Sequence, residues 1–288
     1  MNPLITWVRT QWVPFDLSNE TRHQMGSNDL KAEDHLELAV LAHMHRLTQG
    51  AGSLWTSRRI LLTQMVERWY QSLKQAHRSY RNVLEKPSVY PSEVQVILHY
   101  HTYFQHLGQT VLYYLQDHYD QTSYRDMRPF TTVVYDRMPK DWFNVEALPN
   151  GHIPLNHPEQ WTIDLPVRDL AGWVKHRLED RGYGVSEWSP QGSDELEADR
   201  LFEAIRSYHA LRPLTPKEGP YFYALLVFPE AYIERVGDLS HTLAEDPSVL
   251  PRLLEQEKRR GRIIGRLRRL VEALYHHDIE PITWFESS

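Results

Sequence analysis

The chain has 288 residues, 41% of them apolar, and a formal net charge of −6. That length can bury one large core or two small ones, and nine Trp with sixteen Tyr supply the bulk for it. The acidic balance excludes a generally basic nucleic-acid binder but leaves room for a local basic patch. The absence of cysteine excludes disulfide frameworks, thiolate zinc sites and Cys nucleophiles. No window approaches the ~20 apolar residues of a membrane span, and Met1-Asn2-Pro3-Leu4 does not open a secretory signal. A cytoplasmic protein is expected.

Residues 4–15 alternate loosely through Ile5, Trp7, Val8, Trp12, Val13 and Phe15, which reads as one or two short strands with Pro14 at an edge. The polar run 18–29 reads as a loop, so residues 1–29 are expected to form a β/loop segment ahead of a helical remainder, 30–288. Asn28 can cap a helix over 30–48 that turns Leu36, Val40, Met44 and Leu47 inward, with Gly50 and Gly52 as its stop. Ser53 can cap a second over 54–85, with Trp55, Ile60, Leu62, Met65, Trp69 and Leu73 inward. Pro91 opens a third, to about residue 118, with a core face of Val94, Ile97, Leu98, Phe104, Leu107, Val111 and Leu115. The middle of the chain is irregular. Residues 130–135 are β-branched and aromatic and read as a strand, and Pro149-Asn150-Gly151 reads as a turn that can join two short strands in a hairpin.

At 163–174, Ile-Asp-Leu-Pro-Val-Arg-Asp-Leu-Ala-Gly-Trp-Val, the character changes. A proline followed by Asp169 marks a helix start, the carboxylate being able to accept from free N–H groups of the first turn. Leu170, Trp173, Val174 and Leu178 then recur at helical spacing, predicting a helix over 168–180. After Gly182 and Gly184 comes a polar segment, read as mobile, and then helices over 195–210, 216–235 and 247–276.

The element Arg168-Asp169-Leu170-Ala171-x-Trp173 resembles the (Y/R)DLA element of aminoglycoside-phosphotransferase-like kinases. With Arg before it and Trp after it, it is similar to that of the spore-coat-associated kinase-like proteins of the CotS/YutH group. Other segments follow in matching order: Leu41 to His45, two long helices, 208–214, 221–229, and the closing Ile282-Thr283-Trp284-Phe285. The resemblance implies a mainly α (α+β) chain, the helical C-terminal lobe of a protein-kinase-like fold, with a truncated, degenerate N-terminal lobe. It gives Asp169 and Trp173 structural roles. Before Leu30 there is room for neither a strand lysine nor a glycine-rich phosphate loop.

In the family's enzymes an Asp orients the acceptor hydroxyl, and a downstream Asn and a second Asp hold magnesium. The catalytic loop reads roughly His-x-Asp-x-x-x-x-Asn, and the stretch in its place here is Val134-Tyr135-Asp136-Arg137-Met138-Pro139-Lys140-Asp141-Trp142. One register puts Asp136 at the catalytic position and Asp141 at the magnesium position. The other, which matches the coat group, puts Tyr135 at the His and Arg137 at the catalytic Asp, where a guanidinium cannot do a carboxylate's work. Counting back from Asp169 to the metal Asp reaches Asn156 and His157, neither a carboxylate. The second register is preferred.

No histidine pair chelates along one helix: His43/His45 and His99/His101 are two apart and His276/His277 adjacent, and none of these spacings shares a helix face. No metal or cofactor is expected. The run 258–269, KRRGRIIGRLRR, carries an apolar stripe of Ile263, Ile264, Leu267, Leu270, Val271 and Leu274, so it reads as a docked helix with a solvated basic face. Arg262, Arg266 and Arg269 are its candidate partner contacts, and Gly261 with Gly265 would let another helix approach closely. Together these readings favour a non-catalytic, kinase-derived protein of the spore coat or its assembly, made in the mother-cell cytoplasm and acting on other coat proteins. Two rivals stand beside it: an active small-molecule phosphotransferase using Asp136 and Asp141, and a binding module built on the basic helix.

Overall fold

The structure is a computed structural model and describes residues 3–12, 30–54, 61–86, 92–118, 127–144, 146–147, 153–182, 192–239, 249–276 and 278–286. The expected cap at Asn28, the loop 18–29, the turn at 149–151 and the polar segment after Gly184 as far as residue 191 lie outside these residues. In chain order the helices are α1 (Pro3–Gln11), α2 (Leu30–Leu47), α3 (Ala51–Leu54), α4 (Leu61–Glu85) and α5 (Ser92–His118). Strands β1 (Thr132–Tyr135) and β2 (Trp161–Asp164) follow, then α6 (Val167–Gly182), α7 (Gly192–Leu211), α8 (Glu218–Val227), α9 (Glu230–Gly237), α10 (Val249–Tyr275) and α11 (Thr283–Glu286).

Helix α8 is the axis of the helical body. All ten of its residues are buried, as a helix that is apolar on every side must be. It packs against α5, α6 and α10. Outside it, α4 pairs with α5 and α9, while α7 lies between α2 and α10. The expected stripes face inward: Leu36, Val40 and Met44 on α2, Met65, Trp69 and Leu73 on α4, and Val94, Phe104, Leu107, Val111 and Leu115 on α5 are buried. Gly50 ends the first of these turns with φ +81°, a left-handed conformation that costs glycine nothing.

Two expectations are corrected. Residues 3–11 form a helix, not strands, because Leu4 and Val8, four apart, are both buried on one face against β2. The expected helix 216–235 is two helices, broken at Phe228–Pro229. Proline has no N–H to donate and pushes the preceding residue out of helical geometry, and Phe228 is extended at φ −57°, ψ 124°.

The sheet has two antiparallel strands in the register Thr132↔Asp164, Val133↔Ile163, Val134↔Thr162 and Tyr135↔Trp161. β1 falls where a strand was expected, and β2, without predicted bounds, pairs with it from beyond the 149–151 turn. Between them the described residues make a further antiparallel bridge, Phe143↔Leu155. The sheet sits on α2 and α6. Thr48 and Thr132 share a hydrogen bond, and Val133 N–H donates to Thr48 Oγ1 at 3.1 Å.

Candidate functional site

β1 delivers its last residue, Tyr135, and the loop Asp136-Arg137-Met138 to one end of the helical body. β2 delivers Asp164, and the first turn of α6 delivers Arg168 and Asp169. These meet the N-terminal half of α4 and the α8–α9 junction around a cleft of about 640 Å³. One wall is aromatic, Trp69 stacked on Phe228 with ring centroids 3.8 Å apart. Charged residues line it as well, several of them paired: Lys175 with Glu230 at 3.1 Å, Arg137 with Glu234 at 3.1 Å, and Arg260 with Glu257 at 2.5 Å.

Asp169 does not cap its helix. It is the third residue of α6, and its carboxylate points across the fold. Oδ1 accepts the Tyr135 N–H at 2.9 Å, and Oδ2 lies 3.1 Å from His45 Nε2. His45 Nδ1 is in turn 2.7 Å from the Tyr208 hydroxyl. All four residues are buried. Burial holds the His45 imidazole below its ordinary range and pushes Asp169 up, so the ring is neutral. Placing its one proton at Nε2 lets it donate to Asp169 while Nδ1 accepts the Tyr208 O–H, which satisfies every group. The chain thus ties α2, α6 and α7 to the start of the loop.

Arg168 organises the next layer. Its Nη1 donates to the fully buried Asp164 at 3.1 Å, and its Nη2 donates to both the backbone carbonyl and, at 3.1 Å, the carboxylate of Asp136. Arg68 of α4 adds a second guanidinium to the same Asp136 oxygen at 3.1 Å. Asp136 therefore lines the cleft with two cations on its carboxylate. Arg137 beside it is exposed and turned to Glu234.

Asp141 is not among the residues lining the cleft. It lies where the chain turns back near the Phe143↔Leu155 bridge, and both its oxygens are 3.0 Å from His157 Nε2. His157 takes φ +52°, left-handed for a non-glycine residue, and its Nδ1 faces Glu159 at 3.1 Å. The hydrogen bond to Asp141, aided by Glu159, raises the imidazole above its ordinary range, and the same bond holds Asp141 below the usual carboxylate range. Asn156 Nδ2 donates to the Asp141 carbonyl at 2.6 Å, and Tyr135 Oη donates to the Asn156 carbonyl at 2.6 Å. Asp141, Asn156 and His157, distant in sequence, thus form one cluster, separate from Asp136.

Trp173 is buried, donating Nε1–H to Glu37 at 2.6 Å, and Arg177 lies 5.4 Å over its ring. Part of the basic run of α10 faces α7: Arg262 donates to Asp194 at 3.0 Å and Arg266 donates twice to Asp199 at 2.9 Å, while the exposed Arg269 lies 3.9 Å from Glu286 of α11. Gly261 and Gly265 admit the chain's own α11. A Cβ on Gly261 would meet the Phe285 carbonyl at 2.8 Å, and one on Gly265 the Glu286 side chain at 3.0 Å. Reading the sequence missed His45, Tyr208, Arg168 and Arg68. For His45 the sequence signal was incomplete: His43 and His45 are both buried, and their i, i+2 spacing does not say which one meets a polar partner.

The structure is similar to the crystal structure of an aminoglycoside phosphotransferase from Alicyclobacillus acidocaldarius, with TM-score 0.60, 18% identity, and coverage of 84% of this chain and 67% of that one. The chain is mainly helical with a small sheet and has a phosphotransferase-like fold. No curated protein matches it in sequence at a significant level. Residues 24–248 match the family model described as spore coat putative kinase YutH, and the chain belongs to that family.

Proposed function

We propose that this protein is a non-catalytic, kinase-like component of the spore coat or of its assembly, working through contacts with other coat proteins. The observation that carries this reading is the state of Asp136. A carboxylate that takes or orients the proton of an acceptor hydroxyl needs a free lone pair aimed at it; Asp136 Oδ1 is taken by both Arg68 and Arg168, which leaves only Oδ2 for that work. The residues at the other catalytic positions support the same reading. Arg137 stands at the catalytic position of the preferred register, and Asn156 and His157 stand where a carboxylate should hold magnesium. The paired arginines of α10 support a role for that helix in docking α7 rather than a basic partner surface. In this reading Asp169 and Trp173 hold the fold.

A second reading keeps catalysis, because Asp136 does open on the cleft. Thermal unfolding with and without 5 mM Mg-ATP separates the two. A nucleotide at 100 times its dissociation constant stabilises by about 2.7 kcal/mol, which at this size moves the midpoint by several degrees. No shift is expected. A clear shift, with turnover that Asp136→Ala abolishes, would put the phosphotransferase reading first.

A further inference from the structure

Away from the cleft, two imidazoles from neighbouring helices stand side by side. His77 of α4 is exposed, and His101 of α5 is 1% exposed. Their ring centroids are 5.6 Å apart with the planes at 31°. His101 stacks on Tyr80, centroids 4.4 Å apart at 13°, and faces Tyr232 of α9 at 6.5 Å. Among the described residues, neither nitrogen of His101 has a hydrogen-bond partner, and neither has the buried Tyr232 hydroxyl. Buried polar groups in folded proteins nearly always have partners, so an imidazole orphaned at both nitrogens asks for a ligand or water.

We propose that His77 and His101 form a two-imidazole site for a borderline divalent transition metal, zinc or copper, clamping α4 to α5. The spacing fits. With metal–nitrogen bonds of ~2.1 Å and a ring centre about 1.1 Å beyond each nitrogen, two imidazoles on one tetrahedral ion have centroids roughly 5 Å apart. The donor type fits too, since imidazole suits zinc and copper and not magnesium or calcium. Among the described residues no three His, Cys, Asp or Glu side chains converge. The site therefore has two protein ligands, with the other positions open to water or to a donor from another molecule. Spacing along one helix could not reveal it, because the pair is made between helices.

The test is thermal unfolding of the full chain with 100 μM ZnCl₂, together with the electron paramagnetic resonance spectrum after one equivalent of Cu²⁺. The wild type is expected to gain several degrees with zinc and to show two nitrogen ligands on copper. His77→Ala, a change at an exposed residue, is expected to lose the zinc shift and reduce the copper spectrum to one nitrogen or none at this site. His99→Ala, at another exposed histidine of α5, controls for adventitious binding in a chain of sixteen histidines and should behave as wild type. Absence of a zinc shift in the wild type would overturn the proposal. So would a shift that His77→Ala retains, which means adventitious binding only.

Discussion

Asp169→Ala is the most informative single change in this fold. It leaves the Tyr135 N–H and the His45 Nε2–H, now bonded at 2.9 and 3.1 Å, without an acceptor, and both residues are buried. A buried donor left unsatisfied costs about 1–3 kcal/mol, so the expected loss is roughly 2–5 kcal/mol after the carboxylate's own desolvation is relieved. At about 2–4 °C per kcal/mol for a chain of this size, the midpoint should fall by roughly 5–15 °C. Urea unfolding followed by tryptophan fluorescence measures the free-energy loss, and a thermal melt the midpoint, provided the transition is two-state. Asp169→Asn keeps an acceptor for Tyr135 and should fall between Ala and wild type. Tyr208→Phe removes only the outer hydroxyl of the chain and should cost less than Asp169→Ala. If Asp169→Ala unfolds within 1 kcal/mol of wild type, the carboxylate does not hold the loop and the reasoning fails.

Three further outcomes follow from other contacts. Arg212 and Glu218 form a buried ion pair at 2.9 Å, so Arg212→Ala strands a buried carboxylate and should cost about 3–5 kcal/mol, part of which Arg212→Met with Glu218→Leu recovers; equal stabilities of the single and double variants in urea would contradict this. Gly261→Ala should lower the thermal midpoint more than Gly265→Ala, because the first meets the Phe285 backbone and the second only the Glu286 side chain; the reverse order would show that α11 yields freely. The His157 imidazole, raised above its ordinary 6.5, contributes stability below that pH and loses it as pH rises through its folded value. Asp141, held below its ordinary 3.8, contributes above that pH and loses it as pH falls through its folded value. The pair is therefore strongest between these two ordinary values. An NMR titration should place His157 above 6.5 and Asp141→Asn should return it toward 6.5; a wild-type midpoint at or below 6.5 argues against the pair.

Much of the helical body was legible. The stripes of α2, α4 and α5 repeat over four or more turns, so the buried face can be counted off without knowing what covers it. The break at Phe228–Pro229 was missed, because apolar continuity on both sides argued for one helix over 216–235 although proline disfavours one. α1 was ambiguous in itself: Ile5, Trp7 and Val8 suit alternation, while Leu4 and Val8 suit a helix, and packing against β2 selects the second. The four residues of β2 are too short for a period to register, and their partners lie about thirty residues earlier.

The sequence by itself determined which side chains are available: no cysteine anywhere, an arginine at 137, an asparagine and a histidine at 156 and 157, and two glycines in a basic helix. It also determined where long amphipathic helices run, because their signal is local and repeats. Only the tertiary structure decided which of these groups meet. It set two guanidiniums on Asp136, joined Asp141 to His157, paired Arg262 and Arg266 of α10 with α7, and put His77 beside His101. Hydrogen bonds and ion pairs depend on a few ångströms between residues tens of positions apart, and no periodicity along the chain encodes that distance.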